Sequence, residues 1–273
     1  MTDTPLIALI INTADQPEYL SRVLRAVDGQ TTPASEVLLA DDGSGAETRK
    51  IFQNWSDGKS FITKHVWQNK EGFRRARILN QAIAQAQSEY MVFLDGDTIP
   101  HPKFIEDHWG LSRKRSFVQG HRALIKQQAA SWFGLHSFAR DRRAALWQGQ
   151  IEGWKHAFRW PAPLVRRRGD LRGIRGCNLA IWREDLVQVN GYNEAFVGWG
   201  REDSELAVRL LNADIHRRDV RGWALCYHMW HPPAHRGEVE VNDKLLAEAI
   251  AAGARRCDLG LDQHLRIATG HAE

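Results

Sequence analysis

The sequence predicts an α/β fold: a single domain with a mostly parallel sheet flanked by helices. Three observations carry this. Short runs of β-forming apolar residues alternate with segments of helical period from Leu6 to Arg113, the pattern of successive strand–helix–strand units. Polar clusters close three of the runs, at Asn12-Thr13, Asp41-Asp42 and Asp95-Gly96-Asp97, and open parallel sheets bind ligands beyond the carboxyl ends of their strands. A chain of 273 residues, 43% hydrophobic and 26% charged, can bury one large core.

Taken in order, Leu6 to Ile11 is a continuous apolar run, the mark of a central strand buried on both faces. Pro17 opens a helix with Leu20, Val23, Leu24 and Val27 at i, i+3, i+4 and i+7, and Gly29 ends it. Glu36 to Ala40 is a second strand, halted by Asp41-Asp42-Gly43-Ser44-Gly45. A polar helix from Glu47 to Trp55 follows, then a third strand near Phe61 to Trp67. Arg75 to Gln87 is helical, with Leu79, Ala82, Ile83 and Ala86 on one face. Tyr90 to Leu94 is the fourth strand, and Pro100 to Arg113 resumes helical spacing. From Ser116 the alternation breaks down. Gly134 to Arg175 has no clean period. Gly176 to Ile181 reads as a strand, Asp185 to Asn190 as a helical turn, Ser204 to Leu211 as a helix, Trp223 to His228 as a strand, and Asp243 to Ala252 as an amphipathic helix. This divides the single domain into a first half (1–115), a variable second half (116–235) and a C-terminal helical tail (236–273).

Composition narrows the class. No apolar run reaches the roughly 18 to 20 residues of a membrane span. The N-terminus is polar and acidic before Leu6, without the basic start of a secretory signal. Cys177, Cys226 and Cys257 are odd in number and widely spaced, which predicts reduced thiols and a cytoplasmic protein.

The chemistry is expected at three stretches. In Leu94-Asp95-Gly96-Asp97 a buried strand ends in two carboxylates, and Gly96 lets the backbone turn so that both can face one ligand. Such a pair suits a hard divalent cation, which can in turn bind phosphate oxygens; a polar Asp-Gly turn is the simpler reading. In Gly198-Trp199-Gly200-Arg201-Glu202-Asp203 a flat aromatic is followed by two acids before a helix. The acids could cap that helix, and one beside an aromatic wall could act as a general base toward a hydroxyl. In Tyr227-His228-Met229-Trp230-His231-Pro232-Pro233 two histidines three apart stand at a strand end. Imidazole added to a carboxylate pair favours Mn²⁺ over Mg²⁺.

Together, Asp41-Asp42-Gly43-Ser44, Leu94-Asp95-Gly96-Asp97, Trp199-Gly200-Arg201-Glu202-Asp203 and the downstream histidine resemble the inverting glycosyltransferases of family 2, which have the Rossmann-like GT-A fold. The match is to those sharing Trp-Gly-x-Glu-Asp with galactosyltransferases and bacterial chondroitin polymerases. Asn69 to Asn80 is similar to the family's segment before the Asp-x-Asp strand, and the likeness extends from Pro5 to Pro233. Two positions depart from the family: Asn12-Thr13-Ala14-Asp15 stands for the commoner Thr/Ser-Tyr-Asn, and Arg201 for a frequent glycine. The resemblance implies a hexosyltransferase with a UDP-sugar donor, a saccharide or glycolipid acceptor and a role in surface polysaccharide or lipopolysaccharide synthesis. It implies Asp42, Asp95, Arg77 and Thr13 at the nucleotide sugar. Asp97, with Asp95, would hold the metal with His228, His231 being the reserve. Trp199, Glu202 and Arg175 would hold the acceptor, and Asp203, beside Glu202, would be the catalytic base.

Gly134 to Arg175 holds ten Lys or Arg against three acids, with tryptophans interleaved. An anionic saccharide or the inner face of the cytoplasmic membrane accounts for this better than nucleic acid does. Competing readings are a nucleotidyltransferase acting on sugar phosphates, which leaves Trp199, Glu202 and Asp203 unexplained, and a binding module without turnover.

Overall fold

The computed structural model describes residues 6–232 and 237–268. The polar residues before Leu6, and Pro233 of the proline pair, lie outside the described residues.

The first half alternates as expected. It runs β1 (Ile7–Thr13), α1 (Pro17–Asp28), β2 (Glu36–Asp41), α2 (Ala46–Ser56), β3 (Ile62–Trp67), α3 (Arg75–Gln85) and β4 (Tyr90–Asp95). The expected Pro100–Arg113 helix is shorter. Thr98–Pro100 forms β5, and α4 begins only at Phe104 and ends at Leu111. Pro100 is spent on the strand pairing, opposite Cys226.

The second half is more ordered than its sequence suggests. It contains β6 (Ser116–Gln119), β7 (Arg122–Ile125), α5 (Gln127–Ala130), α6 (Phe138–Trp147), β8 (Ile151–Glu152), a 3-10 turn (Trp154–His156) and β9 (Leu164–Arg168). Then come β10 (Asn178–Trp182), α7 (Arg183–Val189), α8 (Glu202–Asn212), β11 (His216–Arg221), β12 (Cys226–His228), α9 (Val239–Ala251) and α10 (Asp262–Ala268).

The main sheet has the order β3-β2-β1-β4-β10-β6-β11-β9. Only β10 and β9 run against the rest. Apolar residues of β1, β2 and β4 point alternately to its two faces. Ile7, Leu9 and Ile11 join α1 in one core, while Ala8 and Ile10 join Ile78, Leu79, Ala82 and Ile83 of α3 in the other. This three-layer packing explains why the central strands are hydrophobic throughout. A smaller sheet, β5-β12-β7-β8, stands beside β4. Its pairing of β12 with β5 sets His228 opposite Thr98, one residue beyond Asp97. The C-terminal segment is tied in through Leu261, which is buried and donates its N–H to the Asn190 carbonyl at 2.9 Å.

Candidate active site

The carboxyl ends of β1 and β4, the start of α3 and the start of α8 converge on one buried guanidinium. Arg75 is the first residue of α3, on the same stripe as Ile78, Leu79 and Ala82, so its side chain points into the protein. Its Nε donates to Asn12 Oδ1 at 3.2 Å and its Nη2 to Asp95 Oδ1 at 3.2 Å. Its Nη1 serves Asp203 Oδ1 at 2.8 Å and Glu202 Oε1 at 3.2 Å. Asp203 Oδ2 accepts the Gly176 N–H at 2.8 Å. A Cβ at residue 176 would lie 2.3 Å from Arg75 Nη2 and 2.4 Å from Asp203 Oδ1, so only glycine fits.

Three carboxylates around one cation cannot all ionise freely. Burial, reinforced by Asp203 and opposed by Arg75, raises the Glu202 carboxyl to about 7. Burial also raises Asp95, against the pull of Arg75 and with the push of Asp97. Glu202 Oε2 is buried without a protein partner, and so is Thr13 Oγ1 at the end of β1. Both atoms are closed off from solvent, exceptions to the rule that buried polar atoms find partners.

A second cluster adjoins the first. Asp97 Oδ1 lies 3.5 Å from His228 Nε2, and Asp97 Oδ2 lies 3.2 Å from His231 Nε2. The Met229 N–H donates to the Asp97 carbonyl at 2.9 Å, which locks the end of β12 onto this acid. One atom from each of Asp97, His228 and His231 fits within 4.8 Å of the others, the spacing of a metal site. The donor chemistry fits a divalent cation. His231 Nδ1 donates to the Pro232 carbonyl at 2.7 Å, which turns Nε2 toward Asp97, as second partners of metal-bound histidines do. Burial lowers His228 to about 4 and keeps it neutral, as a ligand must be. Burial opposes ionisation of Asp97, yet the His231 hydrogen bond and both imidazoles hold its carboxyl below the usual range.

Several expected positions have surroundings that differ from the sequence reading. Arg77, expected at the nucleotide, is half-buried, lies 3.9 Å from Glu71 and lines a separate cavity with Arg74, Glu194 and His264. Arg75 stands among the carboxylates instead. The signal was its place on the buried stripe of α3, which Arg77 does not share. Asp95, expected to share the metal with Asp97, is outside the converging ligand set and pairs with Arg75. His231 is a full member of that set, not a reserve. Glu202 and Asp203 do not precede α8 as caps but are its first two residues. The N-cap is Arg201, with no side-chain cap bond. Gly96 is needed for close approach: a Cβ there would come within 2.9 Å of Thr13 Oγ1.

The remaining positions have these surroundings. Asp42 is buried, with Gln68 Nε2 on Oδ1 at 2.7 Å and the Arg74 N–H on Oδ2 at 2.8 Å, so it braces the loop leading to Arg75. Trp199 is 42% exposed between Gly198 and Gly200, both at positive φ. Arg175 is exposed beside Gly176, its N–H bonded to Gln119 Oε1 at 3.0 Å. A cavity of about 390 Å³ opens beside the second cluster, lined by Arg122, Lys126, Glu152, His228, Trp230 and His231 among others.

Comparison with known proteins decides the family. The glycosyl transferase family 2 model matches residues 8–184, well over half of the chain. The chain belongs to glycosyl transferase family 2. A second model, the N-terminal domain of galactosyltransferase, matches residues 158–232, the part that carries Trp199, Glu202, Asp203, His228 and His231. This family 2 chain is 24% identical to the Escherichia coli chondroitin synthase over 250 residues, 86% of this chain and 36% of that protein. It is 26% identical to a validoxylamine A glucosyltransferase of Streptomyces hygroscopicus over 227 residues, 76% of this chain and 51% of that one. It thus spans from about a third to a half of these relatives' length. S. aureus TarS 1-349, in a crystal structure with UDP, superposes with a TM-score of 0.64 at 13% identity, covering 97% of this chain and 70% of that one. That likeness bears on the fold: both share the GT-A architecture. Among the described residues, no helix is long and apolar enough to cross a membrane.

Proposed function

We propose that this chain transfers a sugar from a UDP-sugar to a hydroxyl of a saccharide or glycolipid, inverting the anomeric carbon. The observation that carries the reading is the Arg75 cluster: one cation shared by Asp95, Glu202 and Asp203, beside Asp97, His228 and His231. In this reading the two clusters bring the donor end and the acceptor end side by side. Support for the donor class comes from TarS, whose crystal structure holds UDP. Support for a polysaccharide product comes from the chondroitin synthase and from a putative teichuronic acid glycosyltransferase of Bacillus subtilis, 31% identical over 93 residues.

In this reading residues 1–115 bind the nucleotide sugar, residues 116–235 bind the acceptor and carry the base, and α9 and α10 belong to a helical tail. Thr13, at the end of β1, and the Asp42 loop stand at the nucleotide end. Asp97, His228 and His231 would hold Mn²⁺ or Mg²⁺, with two imidazoles favouring Mn²⁺; when bound, it would offset the negative charge of the departing diphosphate. Asp203 is the more accessible of the two acids of α8, its side chain 20% exposed against 9% for Glu202. Each of its oxygens keeps a second lone pair, so it takes the acceptor proton while Arg75 and the Gly176 N–H hold it in aim. Glu202, near neutral, orients an acceptor hydroxyl, and Trp199 supplies the apolar face against which a sugar ring stacks. Arg175 stands at the acceptor side. Work at the cytoplasmic face of a membrane fits a glycolipid acceptor.

The test is UDP release from a panel of UDP-sugars, with and without oligosaccharide acceptors, in Mn²⁺, Mg²⁺ or EDTA. Acceptor-stimulated release from at least one UDP-sugar, lost in EDTA, is expected. Full activity after complete metal removal would contradict the assignment of Asp97, His228 and His231.

A further inference from the structure

A basic patch adjoins the site. Leu164 to Arg175 together with β11 hold eight arginines and two acids. β11 runs parallel to β4, so its last residue, Arg221, lies at the sheet edge where Asp95 ends β4. Arg217, Asp219 and Arg221 share one face of β11, and the pairing with β9 places Arg166 and Arg168 on the same face. Both acids are occupied. Asp219 lies 2.8 Å from Arg217 Nη2 and 3.0 Å from His121 Nε2. Asp170 lies 2.9 Å from Arg168 Nη2 and accepts the Arg172 N–H at 3.0 Å.

His121 carries the patch toward the reacting groups. Its ring stacks on His156 at 4.6 Å with the two planes 5° apart. Arg221 and Arg175 both stand close enough to His156 to act on its charge, and Arg175 acts in the same way on His228. Arg175 is followed by Gly176, whose N–H holds Asp203. Among the described residues, no carboxylate lies within 4 Å of the Arg175 or Arg221 guanidinium.

Cations gathered without a counter-ion repel one another. The His156 ring registers this: burial, and then His121, Arg221 and Arg175, lower its pKa below the ordinary value. An anion placed among these groups relieves the repulsion, and guanidinium pairs with carboxylate and phosphate alike. We infer that Arg175, Arg221 and His156 form a subsite for an oxyanion carried by the acceptor, the carboxylate of a uronic acid or a phosphate ester. Assigning the oxyanion to the acceptor rests on the proposed transfer reaction, through the single residue that separates Arg175 from the Asp203 contact. Arg221 and His156 are half-buried, so the anion must arrive on a slender chain, which a flat lipid surface is not.

The experiment measures dissociation constants by calorimetry for two matched pairs of soluble probes. One is oligogalacturonate against its methyl ester; the other is a phosphorylated maltooligosaccharide against the unphosphorylated sugar. At least one charged probe should bind about tenfold or more tightly than its neutral match, and which one does so names the oxyanion. Arg175→Gln with Arg221→Gln should remove that preference, and Arg175→Gln alone, at an exposed position, should remove part of it. Arg49→Gln with Lys50→Gln on α2, an equal loss of charge elsewhere, should leave it in place. Melting curves check that each variant is folded. Saturating UDP with Mn²⁺ should not displace the charged probe; displacement would assign these cations to the donor diphosphate and overturn the inference. It is overturned equally if neither charged probe outbinds its neutral match, if the Arg175 and Arg221 pair keeps the preference, or if the α2 pair loses it too. No step reads turnover, so failure here leaves the proposed transfer intact, and a lack of UDP release from every UDP-sugar counts against the transfer reading alone.

Discussion

Arg75 shows how much one side chain can organise. Its guanidinium is buried among Asp95, Glu202 and Asp203, and removing one partner from a buried ionic cluster leaves uncompensated charge. Arg75→Met should therefore destabilise the chain by about 3 to 5 kcal/mol, read by urea unfolding; a change below about 1 kcal/mol would mean that the three acids are solvated. Arg201 makes a different point. It holds φ at 78° ahead of α8, a conformation that costs a residue with a Cβ roughly 1 kcal/mol or more. Both Arg201→Gly and Arg201→Ala lose the ion pair with Asp243, so their difference isolates the backbone. The glycine variant should be the more stable by about 1 kcal/mol. Equal stability would show that Arg201 is not in the left-handed region in solution.

At the scale of elements, the short strands decide whether the site forms. β5 and β12 have three residues each and exist only as partners in the small sheet, yet they bring His228 to Asp97. His228→Ala and His231→Ala should each abolish most of the rise in melting temperature that Mn²⁺ gives the wild type, leaving the metal-free melting temperature nearly unchanged. An undiminished Mn²⁺ shift in both variants would remove this cluster as the metal site. The central elements were legible because their patterns are local. β1, β2 and β4 are continuous apolar runs, and α1 shows its stripe plainly. β5 was not, because its pairing partner lies more than a hundred residues downstream and nothing local marks it. α6 was hidden because its inward face carries Asp141 and Arg142, whose hydrogen bonds replace the apolar contacts a periodicity search detects. Arg75 was hidden among three arginines within four residues; only the register of α3 separates it from Arg77.

At the scale of the whole molecule, acid sensitivity follows from buried imidazoles. Burial lowers His108 to about 4, with its Nε2 on Asn178 Oδ1 at 3.0 Å. An unfolded histidine titrates near 6.5. Below that pH the unfolded chain takes up a proton that folded His108 refuses, so stability is full above about 6.5 and falls by about 1.4 kcal/mol per pH unit toward 4. Asp185 and Glu202, raised to about 6 and about 7, act in the opposite direction. The measurement is therefore a comparison: between pH 7 and 5, His108→Leu should lose less stability than wild type, and equal slopes would show that His108 is not buried as a neutral ring. The two halves of the chain also meet at the site, with Arg75, Asp95 and Asp97 from the first and Glu202, Asp203, His228 and His231 from the second. The most direct test of that union is the transfer rate of Asp203→Asn at saturating donor and acceptor, with donor affinity and melting temperature measured alongside. Asparagine can still accept the Gly176 N–H, although its NH2 then faces Arg75 Nη1 in place of an acceptor; Arg75 keeps Asp95 and Glu202, so the fold and the donor site should persist. Loss of a positioned general base should slow transfer by roughly 10² to 10⁴, with donor affinity and melting temperature nearly unchanged. Transfer within a few-fold of wild type would contradict the account and move the base to Glu202.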